Sequence, residues 1–124
     1  MTDIFKCVVN NSIQDIERLL ENGTDLNSED QFGVSILYFA VGLKQHNIVR
    51  LLLDRGANAN GSKFVPLCVA AMNDDIVSIA MLLMYSANPN LSQDNMTSLQ
   101  LAVIHDNFEM IKLLLDYGAK FNES

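Results

Sequence analysis

Basic residues are scarce in this chain: 8 lysines and arginines stand against 15 aspartates and glutamates, a net charge of −7 in 124 residues. A surface of that sign repels phosphate at long range, and no basic cluster offsets it, which argues against a nucleic-acid partner. Acidity leans instead toward a basic protein partner, besides keeping the surface solvated. Long hydrophobic runs are missing too. No stretch approaches the ~18 apolar residues of a spanning helix, and Met1–Lys6 has no basic segment leading into a signal core, so neither membrane insertion nor export is expected. Histidine is limited to His46 and His105. Neither has a Cys, His or carboxylate at ligand spacing, so no metal is expected. A Gly-x-Ser-x-Gly elbow and a Gly-rich phosphate loop are both lacking, which leaves no expectation of an enzyme or of a cofactor.

What the chain has is repetition. Leu19-Leu20-Glu21-Asn22-Gly23, Leu52-Leu53-Asp54-Arg55-Gly56, Leu82-Leu83-Met84-Tyr85-Ser86 and Leu114-Leu115-Asp116-Tyr117-Gly118 recur at intervals of 33, 30 and 32 residues. Periods of that size mark stacked-repeat proteins, and 49% hydrophobic residues suffice for a packed core. Such a solenoid offers an extended surface rather than an enclosed pocket, so the pattern points to binding a macromolecule. The two cysteines, Cys7 and Cys68, fall about two repeats apart. With helix layers roughly 10 Å thick they would lie about 20 Å apart, beyond the reach of a disulfide. Both are expected as buried free thiols of a reducing compartment.

One repeat reads as follows. Asp30-Gln31-Phe32-Gly33-Val34 is a tight turn, with Gly33 supplying positive φ. Ser35 caps a short helix in which Leu37, Ala40 and Val41 recur at helical spacing, alanine permitting close approach of a neighbour. Gly42-Leu43-Lys44-Gln45 turns the chain into a second helix, where Ile48, Val49, Leu51, Leu52 and Leu53 need cover on two sides. Gly56 then takes the left-handed place after the helix end. Leu37 is matched by Leu67 and Leu99, Ala40 by Ala70 and Ala102, and Asn27 by Asn60, Asn90 and Asn122.

This pattern resembles the ankyrin repeat. Thr97-Ser98-Leu99-Gln100-Leu101-Ala102 and Val65-Pro66-Leu67-Cys68-Val69-Ala70 stand where that family has its Thr-Pro-Leu-His-x-Ala start, and Ile48–Asn60 is similar to its second helix and loop. The resemblance covers the whole chain. It implies an all-α solenoid of stacked helix-turn-helix repeats with short β-hairpin loops, one domain over 1–124 with repeats at about 1–27, 28–60, 61–91 and 92–124. The third repeat departs from the pattern: Val65 replaces the capping hydroxyl and Ser86 the post-helix glycine, each at a cost of about 1 kcal/mol. From Asn60 to Leu67 there are seven positions where Asn27 to Leu37 has ten, so a stunted hairpin and a notch are expected there.

The resemblance further implies a concave binding surface made of the turns and the first helices. Its positions here are Gln31, Phe32, Val34, Gly42 and Leu43, then Lys63, Phe64, Met72 and Asn73, then Gln93, Asp94, Met96, Ile104 and His105. Val34, Phe64 and Met96 occupy one equivalent position in three repeats and would form an apolar stripe, with Phe32 and Phe64 as anchors. The expected function is a non-enzymatic adaptor or inhibitor that binds another protein, in the cytosol or nucleus, or in the host cytosol for a viral or bacterial chain. The alternative is a structural spacer or oligomerising segment of a larger ankyrin protein. Phe108, Met110, Ile111, Leu113 and Leu115 make an apolar C-terminal edge, so the chain is expected as a monomer or a weak dimer through it.

Overall fold

Short amphipathic stretches between left-handed turns fold here into paired helices. The computed structural model describes residues 3–121, and among these it has eight helices: α1 Ile4–Val9, α2 Ile13–Glu21, α3 Ile36–Gly42, α4 His46–Asp54, α5 Pro66–Met72, α6 Ile76–Met84, α7 Ser98–Ile104 and α8 Phe108–Asp116. The inner helices α1, α3, α5 and α7 pack side by side in that order, and α4, α6 and α8 form a second row behind them. Each pair turns through one left-handed residue, Asn11, Lys44, Asp74 or Asp106, at φ 53°, 56°, 55° and 54°. Its N–H and that of the following residue return to carbonyls of the inner helix, closing the helix end.

The core follows the repeated positions. Leu37, Leu67 and Leu99 are buried, and Ala40, Ala70 and Ala102 are fully so, with Cys7 in the same place in α1. Small residues there let inner helices approach while the leucines fill the space between rows. Every fully buried side-chain N or O among the described residues has a hydrogen-bond partner. Both cysteines are free and buried. Burial pushes the Cys68 thiol up, and burial together with the Asp15 charge pushes up that of Cys7. Neither is held as a thiolate.

The connections between pairs differ. Before α7 a complete hairpin forms, β1 Ser92–Gln93 antiparallel to β2 Met96–Thr97, with Asp94 and Asn95 both at positive φ as a tight two-residue turn requires. Before α3 there is a single bridge between Glu29 and Ser35. Before α5 the shorter connection, expected to give a stunted hairpin, forms no strand. Gly61 turns that loop at φ 66°. A Cβ on it would lie 2.3 Å from the Phe64 carbonyl oxygen and 2.8 Å from Pro66 Cδ, so only glycine fits.

Caps explain why the inner helices start where they do. The Ser35 hydroxyl accepts from Tyr38 N–H at 3.1 Å, and Thr97 with Gln100 forms a reciprocal capping box. Val65 offers no side-chain oxygen, and the fold compensates. Pro66 has no N–H to satisfy, and Gln93 Oε1, reaching from β1, accepts the Val65 N–H at 2.7 Å. Asparagines then lock each loop to the next: Asn27 Oδ1 accepts from Asn58 N–H, Asn60 Oδ1 from Asn88 N–H and Asn90 Oδ1 from Lys120 N–H, at 2.8, 2.6 and 2.9 Å. Asn122 lies outside the described residues.

Candidate protein-binding face

The turns and the ends of the inner helices face one side of the stack, and the candidate residues fall there in two groups. At the turn tips Gln31, Phe32, Lys63 and Asp94 are exposed. Phe32 projects because the Asp30 carboxylate accepts from both Phe32 N–H and Val34 N–H, which fixes the turn beneath it. Val34, Phe64 and Met96 each sit two residues before an inner helix and are half-buried. Phe64 leans on Tyr38, ring centroids 5.4 Å apart, with Lys63 Nζ 5.8 Å from its centroid. Gln93 is half-buried as well, its amide bridging Val65 N–H and, at 3.1 Å, the Tyr38 hydroxyl. Its side chain therefore already serves the fold.

The second group lies at the C-terminal ends of the inner helices. Leu43, Met72, Ile104 and His105 are exposed, whereas Asn73 is half-buried and donates to the Gly42 carbonyl at 3.2 Å. Aligning the last residues of the inner helices adds a member that repeat matching overlooked: Val9. It is 55% exposed, Met72 51% and Ile104 66%. Val9 ends α1 as Met72 ends α5. In α3 the place is held by Gly42, which leaves a groove of about 280 Å³ lined by Asp30, Val34, Tyr38, Phe39, Gly42 and Leu43. Tyr38 is thus part of this face.

One polar cluster bridges the second and third pairs. Asp75 caps α6 and is buried. It accepts from Ser78 Oγ at 2.7 Å and Ser78 N–H at 3.2 Å, and lies 2.9 Å from His46 Nε2. Burial raises its pKa, but the hydrogen bonds from Ser78 and His46 outweigh this and hold the carboxyl below its ordinary range. The carboxylate stands between serine and histidine, so the imidazole does not reach the hydroxyl, and Ser78 is fully buried, out of reach of a substrate. The cluster ties two repeats together and is not a nucleophilic site. Among the described residues no group of three or more His, Cys, Asp or Glu is placed to hold a metal, and no helix is long and apolar enough to cross a membrane.

Comparison with known proteins agrees with this architecture. The family described as ankyrin repeats (3 copies) matches residues 4–93 and 61–124. The chain belongs to the ankyrin repeat family. It is 31% identical over 116 residues to a mitochondrial disaggregase of Bos taurus, covering 88% of this chain and 17% of that protein. It is 29% identical over 123 residues to an ankyrin repeat, SAM and basic leucine zipper domain-containing protein of Dasypus novemcinctus, covering 93% and 26%. A putative ankyrin repeat protein of fowlpox virus is 32% identical over 120 residues, covering 90% and 35%. The chain thus spans between about a sixth and a third of the length of these relatives. Ankyrin repeats generally mediate protein–protein interaction.

Proposed function

We propose that this chain is a non-enzymatic adaptor or inhibitor that binds a protein through the face formed by the turn tips and the inner-helix ends, acting in the cytosol or nucleus, or in a host's. The observation that carries this reading is the row of exposed apolar side chains Val9, Met72 and Ile104 at the ends of α1, α5 and α7, with exposed Leu43 beside the gap that Gly42 leaves at the end of α3 and Phe32 exposed at its turn tip. None of these positions is needed to fill the core, and a contiguous apolar face of this kind is typical of a partner surface. The test is capture of partners from cell extract by the wild-type chain and by a Phe32→Ala/Met72→Ser/Ile104→Ser variant of matched melting temperature. A protein bound by the first and lost by the second supports the reading. Equal capture by both overturns it.

A second reading, an oligomerising segment, is favoured by one observation at the other end of the stack. Val41 and Ala71 are fully buried and Leu53 and Leu83 nearly so, whereas the equivalent Val103 and Leu115 are 44% and 40% exposed, with Phe108 exposed beside them. A weak dimer through this C-terminal edge would cover them, though not Met110, which was expected at the edge and is instead fully buried in the core. Sedimentation of the wild type against Val103→Gln/Leu115→Gln tests it: a concentration-dependent dimer abolished by the variant supports it, and a monomer throughout overturns it.

A further inference from the structure

We propose that the segment bound by the concave face is an amphipathic α-helix with an apolar residue at every seventh position and basic residues beside that stripe, lying across the inner helices along the row from Val9 to Ile104. This rests on the reading of the concave face given above and states the class of partner it takes.

Spacing comes first. Packed helices lie about 8–10 Å apart, so successive members of the row recur at that interval. Seven residues of α-helix advance about 10.5 Å and return within about 20° of the same face, so one apolar side chain meets each inner helix in turn. A β-strand covers the interval in about three residues but presents the side chain three residues on, at i+3, on the opposite face. Polyproline II has a workable spacing, yet its recognition relies on aromatic-lined grooves, and aromatic lining occurs at one place along the row, Tyr38 and Phe39 at Gly42, while Val9, Met72 and Ile104 are aliphatic. Strand addition needs a free sheet edge, and here β1 and β2 have two residues each.

Shape and charge then set the register. Gly42 interrupts the row with a groove, so the partner's bulkiest apolar residue seats there, against Val34, Tyr38 and Leu43. Met72 supplies an adaptable contact next to it. Two residues beyond Met72 and Ile104 stand Asp74 and Asp106, both exposed at equivalent left-handed turn positions. Asp74 Oδ1 already accepts from Asn107 Nδ2 at 2.7 Å, which orients the carboxylate without neutralising it. Lys44 holds the same turn position in the second pair. The acidic half of the row is therefore the half over α5 and α7, and the helix places its basic residues there.

Two peptide libraries of 24 residues and equal composition test this, one keeping an apolar residue at every seventh position and the other placing the same residues without period. Both are panned against the chain. The expected result is enrichment from the periodic library alone, with lysine and arginine concentrated at one end and helicity rising on binding. Met72→Ser/Ile104→Ser then weakens an enriched peptide about tenfold or more. Asp74→Asn/Asp106→Asn weakens it several-fold and flattens the dependence on salt. Enrichment of non-periodic, proline-rich or acidic peptides overturns the proposal, as does no enrichment. If the extract capture described above still depends on Met72 and Ile104 while this panning fails, the helix class is wrong and the face stands. If both fail, the face is wrong as well.

Discussion

Ser86 occupies at φ 70° the place that Gly23, Gly56 and Gly118 hold at φ 98°, 92° and 98° in the other pairs. A side chain in the left-handed region costs about 1–2 kcal/mol, part of which the looser unfolded chain of a glycine variant takes back. Ser86→Gly is therefore expected to raise stability by about 1 kcal/mol, read as a higher urea midpoint at unchanged slope. Asp75 sets a pH dependence of definite sign. Its carboxyl titrates lower in the folded state than its ordinary 3.8, so the stability it contributes is present above about pH 4 and lost as pH falls through the folded value. Asp75→Asn should cost about 1–3 kcal/mol at neutral pH, and the gap between variant and wild type should close below that range in acid titrations followed by circular dichroism. Ser86 was legible from repeat alignment. The Asp75 cluster was not, because its partner His46 comes from another repeat and no local spacing joins them.

Among elements, the connection before α5 departs furthest from the repeat pattern. The seven positions between Asn60 and Leu67 were enough to foresee a stunted hairpin, and the loop goes further, with no strand at all. They were not enough to see how the loop closes, which depends on the space at Gly61. Gly61→Ala puts a methyl group against the Phe64 carbonyl and Pro66 and is expected to cost about 2 kcal/mol or more, while loosening Phe64 from Tyr38. Thermal melts and the ring-proton shifts of Tyr38 check both effects. The bare cap at Val65 illustrates the same limit. Sequence shows that the hydroxyl is missing, but the oxygen that accepts Val65's own N–H, as Gln100 accepts that of Thr97, belongs to Gln93 in the following hairpin and emerges only from the stack. Gln93 was for that reason read as a surface residue, as was Phe64, because nothing local reveals that Tyr38 reaches both.

For the molecule as a whole, period and core were legible because a solenoid repeats its burial pattern at fixed intervals, so one repeat explains the next. Surfaces at its ends escape that logic, since the same residue is interior in one repeat and open in another. Leu83→Gln is expected to cost about 2–5 kcal/mol, as large-to-small and polar changes in a core do, while its equivalent Leu115→Gln should change monomer stability by about 0.5 kcal/mol or less. Denaturant unfolding of the two variants makes the comparison. The concave face was legible as a class of position but not as a row, because Val9 precedes the first recognisable turn and Gly42 removes a side chain from the middle. The most direct test of that face is hydrogen exchange of the chain with and without its captured partner, compared at the turns. Slowed exchange at 30–34, 43–45, 62–64, 73–75 and 105–107 is the expected result. Protection confined to α8 and the residues after it, with the turns unchanged, would contradict it.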